Sequence, residues 1–289
     1  MDTLTAHKLI RRVKDESFDG EDLDQYTLLL QVGPRDAQVA LYLRPAGKFI
    51  LLEDYVFPEA GTIDSLNSIK NLFDGHTFLS AGFWKEVLIS IKGTHFTQLP
   101  ADLFDKSNAA EVLKINSSFD PQQEIVAWST PYKNIVTIFS VQRSLYGWLN
   151  SIYNRQSTTF FHQSGNLVAA ALNDTTVPAG VHVYIDRFSM HITAVASGKL
   201  LYYNQFVIKE FQDYIRYILL VMKTLTLDPE AFPVILWGFV SRTSPHFAEF
   251  KKFIRHVALG ARTRSVGFSP AFGDVQDHFF SDIFAMVRK

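Results

Sequence analysis

Two segments of the chain repeat one pattern of three short strands, and this repeat limits the fold more than any other feature. Residues 47–57 (GKFILLEDYVF) align with residues 198–208 (GKLLYYNQFVI), and apolar and polar positions agree almost throughout. Upstream, residues 28–43 (LLLQVGPRDAQVALYL) lie opposite residues 183–195 (VYIDRFSMHITAV), with a longer hairpin in the first copy. A helical pattern follows each copy. The repeat predicts an α/β fold with mixed sheets, built from two duplicated halves around a cleft.

Length and composition allow both halves to fold. The chain has 289 residues, of which 47% are apolar, and this is enough for two modest hydrophobic cores. It contains no cysteine, which excludes disulfides, cysteine-ligated zinc and thiol chemistry. The formal net charge of −1 provides no overall field that would favour nucleic acid or an anionic membrane.

The chain shows neither a secretory signal nor a membrane span. Its first 25 residues are polar and lack an apolar core segment. Its apolar runs, such as residues 217–222, are far shorter than the roughly 20 residues that cross a bilayer. We therefore expect a cytoplasmic protein.

The pattern divides the chain into a polar leader (1–25), a first half (26–144) and a second half (145–289). The clearest helix lies in the second half, where apolar residues recur at helical spacing between Phe211 and Leu225. Other expected elements are a helix over 63–73, a strand–turn–strand over 85–99 and a capped helix over 244–257.

Four stretches carry a resemblance to a known family. They are HFTQLPADLF (95–104), LLYYNQF (200–206), FQDYIRYILLVMKTLTLDP (211–229) and VILWGFVSRTSP (234–245). Over most of its length the chain resembles an uncharacterised bacterial family, domain of unknown function 3822. Its duplicated plan also resembles the actin-like ATPase superfamily of actin, Hsp70 and sugar kinases, whose two halves are ribonuclease H-like. The resemblance implies an actin-like fold and implies no activity.

In that superfamily the first hairpin carries Asp-x-Gly, in which the Asp supports magnesium and small residues surround phosphate. Here Gln31 stands at the Asp position, and a neutral amide anchors magnesium poorly. Gly33 is retained, but Pro34 removes one backbone N–H. Arg35 and Asp36 follow. If the loop still binds nucleotide, Arg35 contacts a phosphate and Asp36 supplies the carboxylate from a displaced position.

The second hairpin and the adenosine motif also depart from the superfamily pattern. Asp186 is retained, but Phe188, Ser189 and Met190 replace the glycines that let a backbone approach phosphate closely. The adenosine motif is a strand ending in Gly-Gly, and here Gly238 is followed by Phe239. Three altered sites predict that nucleotide binding has been lost.

The sequence thus favours a non-catalytic, pseudo-ATPase scaffold that binds another protein or peptide, with no cofactor expected. The superfamily contains such a case in the actin-like scaffold of type IV pilus machines. The alternative is an unorthodox magnesium-dependent ATP-binding protein, ATPase or kinase. It would use Arg35, Asp36 and Asp186, with Asp186 as its candidate catalytic residue.

Two further groups of side chains have both a functional and a purely structural interpretation. His182 and His191 flank the second hairpin. They are either a pair of zinc ligands or ordinary strand histidines. A basic cluster would support a second alternative, association with nucleic acid, although solvent-exposed cations near helix C-termini are common. The cluster comprises Lys251, Lys252, Arg255, His256, Arg262 and Arg264.

Overall fold

The computed structural model of the chain describes residues 7–58, 65–117, 122–130 and 134–287. These residues form three sheets and seven α-helices, so the predicted α/β class with mixed sheets is confirmed. The strands are β1 (Lys8–Lys14), β2 (Tyr26–Val32), β3 (Asp36–Leu43), β4 (Lys48–Val56), β5 (Glu86–Ile91), β6 (Phe96–Pro100), β7 (Gln123–Thr130), β8 (Ile135–Gln142), β9 (Ser157–His162), β10 (Gly180–Ile185), β11 (Met190–Ala196), β12 (Lys199–Phe206), β13 (Val234–Gly238), β14 (Val257–Leu259) and β15 (Gly267–Phe268). The helices are α1 (Ser65–Asp74), α2 (Ala109–Asn116), α3 (Arg143–Ile152), α4 (Gln163–Asn173), α5 (Phe211–Thr224), α6 (Pro245–Phe253) and α7 (Ser281–Phe284).

The chain divides into two compact units. The first comprises Met1–Gln163, Ser265–Asp274 and Met286–Lys289, and the second comprises Ser164–Arg264 and Val275–Ala285. The expected boundary at residue 144 falls inside the first unit. The reason is that β9 pairs in parallel with β5 and therefore belongs to the first sheet.

The first unit is built on a seven-stranded sheet in the order β1-β4-β3-β2-β5-β9, with β15 paired to β4. Strands β2, β3 and β4 form an antiparallel meander, and β2, β5 and β9 run parallel. Every residue of β2 is buried, including the polar Thr27 and Gln31, as in a central strand covered on both faces. A separate antiparallel sheet, β6-β8-β7, packs with α2 in the same unit.

The second unit has a five-stranded sheet whose strand order matches that of five strands of the first sheet, β4-β3-β2-β5-β9. Its sheet runs β12-β11-β10-β13-β14, with β10, β11 and β12 antiparallel and β10, β13 and β14 parallel. The aligned Gly-Lys pairs also occupy matching places, because β4 begins at Lys48 and β12 begins at Lys199. The preceding glycines, Gly47 and Gly198, have φ values of +63° and +71°, a left-handed turn conformation that glycine adopts without steric cost.

Several expected elements have different bounds in the structure. The segment expected to be a polar leader contains β1, an edge strand of which only Val13 is buried. Because β1 is rich in charged residues, its composition did not indicate a strand. Residues 85–99 form two strands of different sheets, since β5 pairs with β2 whereas β6 pairs with β8. The helix expected from residue 63 begins at Ser65, and its first expected residues lie outside the described ranges. No helix within the described residues is long and apolar enough to cross a membrane.

Candidate functional site

The hairpin between β2 and β3 is closed by its own side chains. Gln31 is buried, and its Nε2 donates to Gln38 Oε1 at 3.2 Å. The backbone N–H of Gly33 donates to the Asp36 carbonyl at 2.9 Å. A Cβ added at Gly33 would lie 2.3 Å from Asp36 Oδ1, so this glycine is needed to accommodate the Asp36 side chain. The Arg35 carbonyl accepts a hydrogen bond from the Phe57 N–H at 2.8 Å and fixes the turn to the end of β4.

Asp36 is the carboxylate of this hairpin, and it forms a buried ion pair. Lys92, directly after β5, places Nζ 2.8 Å from Asp36 Oδ2. Gln38 Nε2 donates to the same oxygen at 3.3 Å and to Asp54 Oδ1 at 2.9 Å. Three strands thus contribute polar side chains to one buried network beside the first hairpin.

The hairpin between β10 and β11 is also held by contacts within its own unit. Asp186 is buried, and its Oδ1 accepts a hydrogen bond from the Arg187 N–H at 2.8 Å. The Asp186 N–H donates to the Ser189 carbonyl at 2.9 Å. Ser189 Oγ lies 3.1 Å from His191 Nε2, and His191 Nδ1 lies 2.7 Å from the Tyr203 hydroxyl.

The end of β13 approaches the same hairpin very closely. Gly238 has a φ of +78°, and a Cβ there would lie 2.2 Å from the Ile185 carbonyl oxygen. The Phe239 N–H donates to that oxygen at 2.7 Å. The Arg187 guanidinium lies 4.2 Å from the centroid of the Phe239 ring, a cation–π contact over the position where the second glycine was expected.

The two histidines that flank this hairpin have different partners. Trp237 Nε1 donates to His182 Nδ1 at 3.2 Å, and burial lowers the pKa of His182 to about 4. His191 instead contacts Ser189 and Tyr203. No cluster of three or more His, Asp or Glu side chains that could hold a metal ion occurs in the described ranges.

Four of the six residues of the predicted basic cluster contact neighbouring groups through their side chains. Lys252 Nζ lies 2.7 Å from Glu249, and Lys251 lies over the Phe247 ring. Arg255 lies 3.7 Å from Glu230. Arg262 Nε lies 3.1 Å from Asp277, and its NH2 group donates to the Val275 carbonyl. Much of the positive charge in this region is therefore balanced locally.

Comparison with known proteins places the chain in a family. The sequence pattern of the family described as "Protein of unknown function (DUF3822)" matches residues 15–257. The chain belongs to this family. No curated protein matches the sequence.

Similarity to solved structures identifies the fold of the DUF3822 chain. A Bacteroides thetaiotaomicron VPI-5482 protein with an actin-like ATPase fold and unknown function is 25% identical, with a TM-score of 0.76 over 84% of this chain and 93% of that one. The PilM-PilN type IV pilus biogenesis complex contains a chain that is 11% identical, with a TM-score of 0.56 over 90% of this chain and 97% of that one. The DUF3822 chain thus has the actin-like ATPase fold.

Sequence reasoning about this DUF3822 protein did not identify Lys92 as a site residue. The available signal was its position, because Lys92 directly follows β5 as Gly33 follows β2, and the carboxyl ends of parallel strands meet at one sheet edge. Sequence reasoning also missed Glu53, Tyr55 and His76, which converge on one another from β4 and the end of α1. No local motif marks that cluster.

Proposed function

We propose that this DUF3822 protein is a non-catalytic, pseudo-ATPase member of the actin-like fold that acts as a scaffold for another protein. The observation that carries the proposal is the buried ion pair of Asp36 with Lys92. Magnesium bound with a nucleotide requires accessible, negatively charged oxygen ligands. The first hairpin instead directs its carboxylate towards a lysine and has the neutral Gln31 where the superfamily has its Asp.

The second hairpin supports the same proposal. Nucleotide phosphates and bases need backbone that they can approach closely, and glycine provides such backbone. Here Arg187 lies on Phe239 and occupies space beside the end of β13, while Asp186 accepts a hydrogen bond from its own turn. The residues at both hairpins therefore fit a magnesium–nucleotide complex poorly.

A protein partner and the duplication of the halves remain parts of this proposal. The shared order of five strands in each of the two sheets supports duplication of the halves. The pilus-related structure is that of a protein complex, and a protein partner is the one idea that we take from it for this proposal. At 11% identity the similarity itself shows only a shared fold, so the protein partner stays a proposal.

The test is calorimetric titration of the full chain with ATP and with ADP, each with and without magnesium. We expect no saturable heat from either nucleotide. Tight, magnesium-dependent binding would overturn the proposal in favour of the ATP-binding alternative. In that case the Asp186→Asn variant should lose binding or turnover while keeping its melting temperature, and Asp228→Asn, an exposed aspartate in the turn after α5, serves as the matched control.

A further inference from the structure

A second polar site lies in the first unit, on the sheet face opposite the Asp36 network. A cavity of about 280 Å³ lies beside β1, β4 and the end of α1. Glu53 and Tyr55 of β4 belong to this face, whereas Asp54 belongs to the face of Asp36, because successive strand side chains alternate. The cavity is lined by His7, Leu9, Arg12, Tyr55, Leu72, Gly75, His76 and Thr77.

Glu53 is the buried anchor beneath this cavity. Its carboxylate accepts hydrogen bonds from Arg12 Nε at 2.8 Å, from the Tyr55 hydroxyl at 2.7 Å and from His76 Nε2 at 2.6 Å. Burial alone would raise the pKa of Glu53, but the hydrogen bonds from His76 and Tyr55 and the Arg12 charge together hold it below its ordinary value. Glu53 is therefore an ionised carboxylate already matched by donors, and its role is to fix Arg12 and His76 in place.

The groups that line the cavity are mainly hydrogen-bond donors. Arg12 uses Nε for Glu53, and its guanidinium carries five N–H groups in all. Its side chain is 53% exposed and also interacts with the Tyr55 hydroxyl, so part of the guanidinium is accessible to a ligand. His7 Nδ1 is shielded from solvent and meets no hydrogen-bond partner among the residues that the structure describes. Among the lining residues that the structure describes, none carries a carboxylate.

We propose that this cavity binds a small oxyanion, the phosphate or carboxylate group of a metabolite, through Arg12 and His7. Glu53 acts as the positioning residue for Arg12. A guanidinium fork suits the paired oxygens of both anion types, and the imidazole supplies a further donor when it is protonated. The volume lies near the lower end of the roughly 300–1,000 Å³ of ligand pockets, which favours a phosphomonoester or a dicarboxylate over a larger molecule.

The experiment uses the full chain and two probes, inorganic phosphate and succinate, titrated calorimetrically at constant ionic strength. We expect saturable one-to-one binding of at least one of them, and the stronger probe identifies the anion class. Arg12→Gln should weaken binding about tenfold, the loss of one charge-assisted hydrogen bond. His7→Gln should weaken binding by a smaller factor near neutral pH, because burial and the His76 charge lower the pKa of His7. Arg11→Gln removes the same charge from the same strand at a residue that does not line the cavity, and it should bind as the unaltered chain does.

The outcome that overturns the proposal is an absence of saturable binding by either probe in the millimolar range, or equal losses in the Arg11 and Arg12 variants. Arg12→Gln could unfold the chain because Arg12 neutralises Glu53. Arg12→Lys tests binding without that loss of stability, since it keeps a positive charge near Glu53 and removes the planar guanidinium group. It should retain the melting temperature and still weaken binding. Asp186→Asn should leave anion binding unchanged, which separates this site from the hairpins.

Discussion

Lys92 Nζ lies 2.8 Å from Asp36 Oδ2, and the two side chains are only 8% and 2% exposed. Lys92 follows a parallel strand and Asp36 follows the tight turn of the first hairpin, so the pair joins two strand ends that are 56 residues apart in sequence. Removing one partner of a buried ion pair leaves a charge in a medium of low polarity, which costs more than the intact pair contributes.

We therefore expect Lys92→Met to destabilise the chain strongly. The buried Asp36 carboxylate would lose its ammonium partner, and the free energy of unfolding should fall by about 3–5 kcal/mol. Urea unfolding followed by circular dichroism measures this change.

Two variants make the result specific to the pair. The double variant Asp36→Asn with Lys92→Met should recover most of the loss, because no uncompensated charge remains. Lys85→Met alters an exposed lysine just before β5 and should change stability by less than about 0.5 kcal/mol. A loss in Lys92→Met no larger than in Lys85→Met would contradict the assignment.

The second prediction concerns Gly238, which the superfamily pattern associates with the base. Gly238 and Gly198 share a left-handed backbone, with φ values of +78° and +71°. A Cβ at Gly238 would lie 2.2 Å from the Ile185 oxygen, whereas one at Gly198 would meet no heavy atom within 4 Å. Gly198→Ala should therefore cost about 1 kcal/mol for conformation alone, and Gly238→Ala should cost about 3 kcal/mol or more.

Thermal unfolding of the two alanine variants compares these costs directly. A larger loss at Gly238 would mean that the close approach of β13 to β10 requires this glycine whether or not a base binds. Equal losses would show that the backbone at Gly238 relaxes around the added methyl group.

Central strands and the long helix could be predicted because their signals are local. β13 is a continuous apolar run, β2 contains three consecutive leucines, and the stripe of α5 repeats at helical spacing over four turns. The hairpin turns were equally visible, since β4 and β12 each begin with a lysine after a glycine.

Elements that depend on distant partners could not be predicted. The helix expected over 244–257 ends at Phe253, because Val257 pairs with Val234 and begins β14. In the candidate site, the sequence identified Asp36 but not its partner Lys92, because the distance between them is set by a parallel crossover and the position of Lys92 after β5 is only an indirect signal. The Glu53 cluster was invisible for the same reason, as its members come from β1, β4 and the end of α1.

The third prediction concerns the attachment of α7 to the second sheet. The Tyr184 hydroxyl donates to Asp282 Oδ1 at 2.7 Å, and both residues are buried. Burial and the neighbouring Asp282 charge raise the pKa of Tyr184, which keeps the hydroxyl protonated as a donor. Tyr184→Phe should lower the free energy of unfolding by about 1.5–3 kcal/mol. Tyr202→Phe, at a partly buried site on β12, is the matched control, and a similar loss there would argue against a specific role for the hydroxyl.

The last prediction concerns pH and His182. In the folded chain burial lowers the pKa of His182 from 6.5 to about 4, and Trp237 Nε1 donates to His182 Nδ1, which requires that nitrogen to be unprotonated. At a pH between 6.5 and about 4, the unfolded chain binds a proton at His182 that the folded chain does not bind. Stability therefore rises with pH in this window and is lost as the pH falls through it.

We expect His182 to account for a loss of about 3 kcal/mol in the free energy of unfolding when the pH is lowered from about 7 to about 4. Urea unfolding at both pH values should show a clearly smaller loss in His182→Gln, because glutamine accepts the Trp237 hydrogen bond and does not titrate. His256→Gln removes an exposed histidine and should keep the full pH dependence. If the unaltered chain and the two variants lose stability equally, the acid sensitivity arises from other groups, and the folded pKa of His182 lies close to its unfolded value.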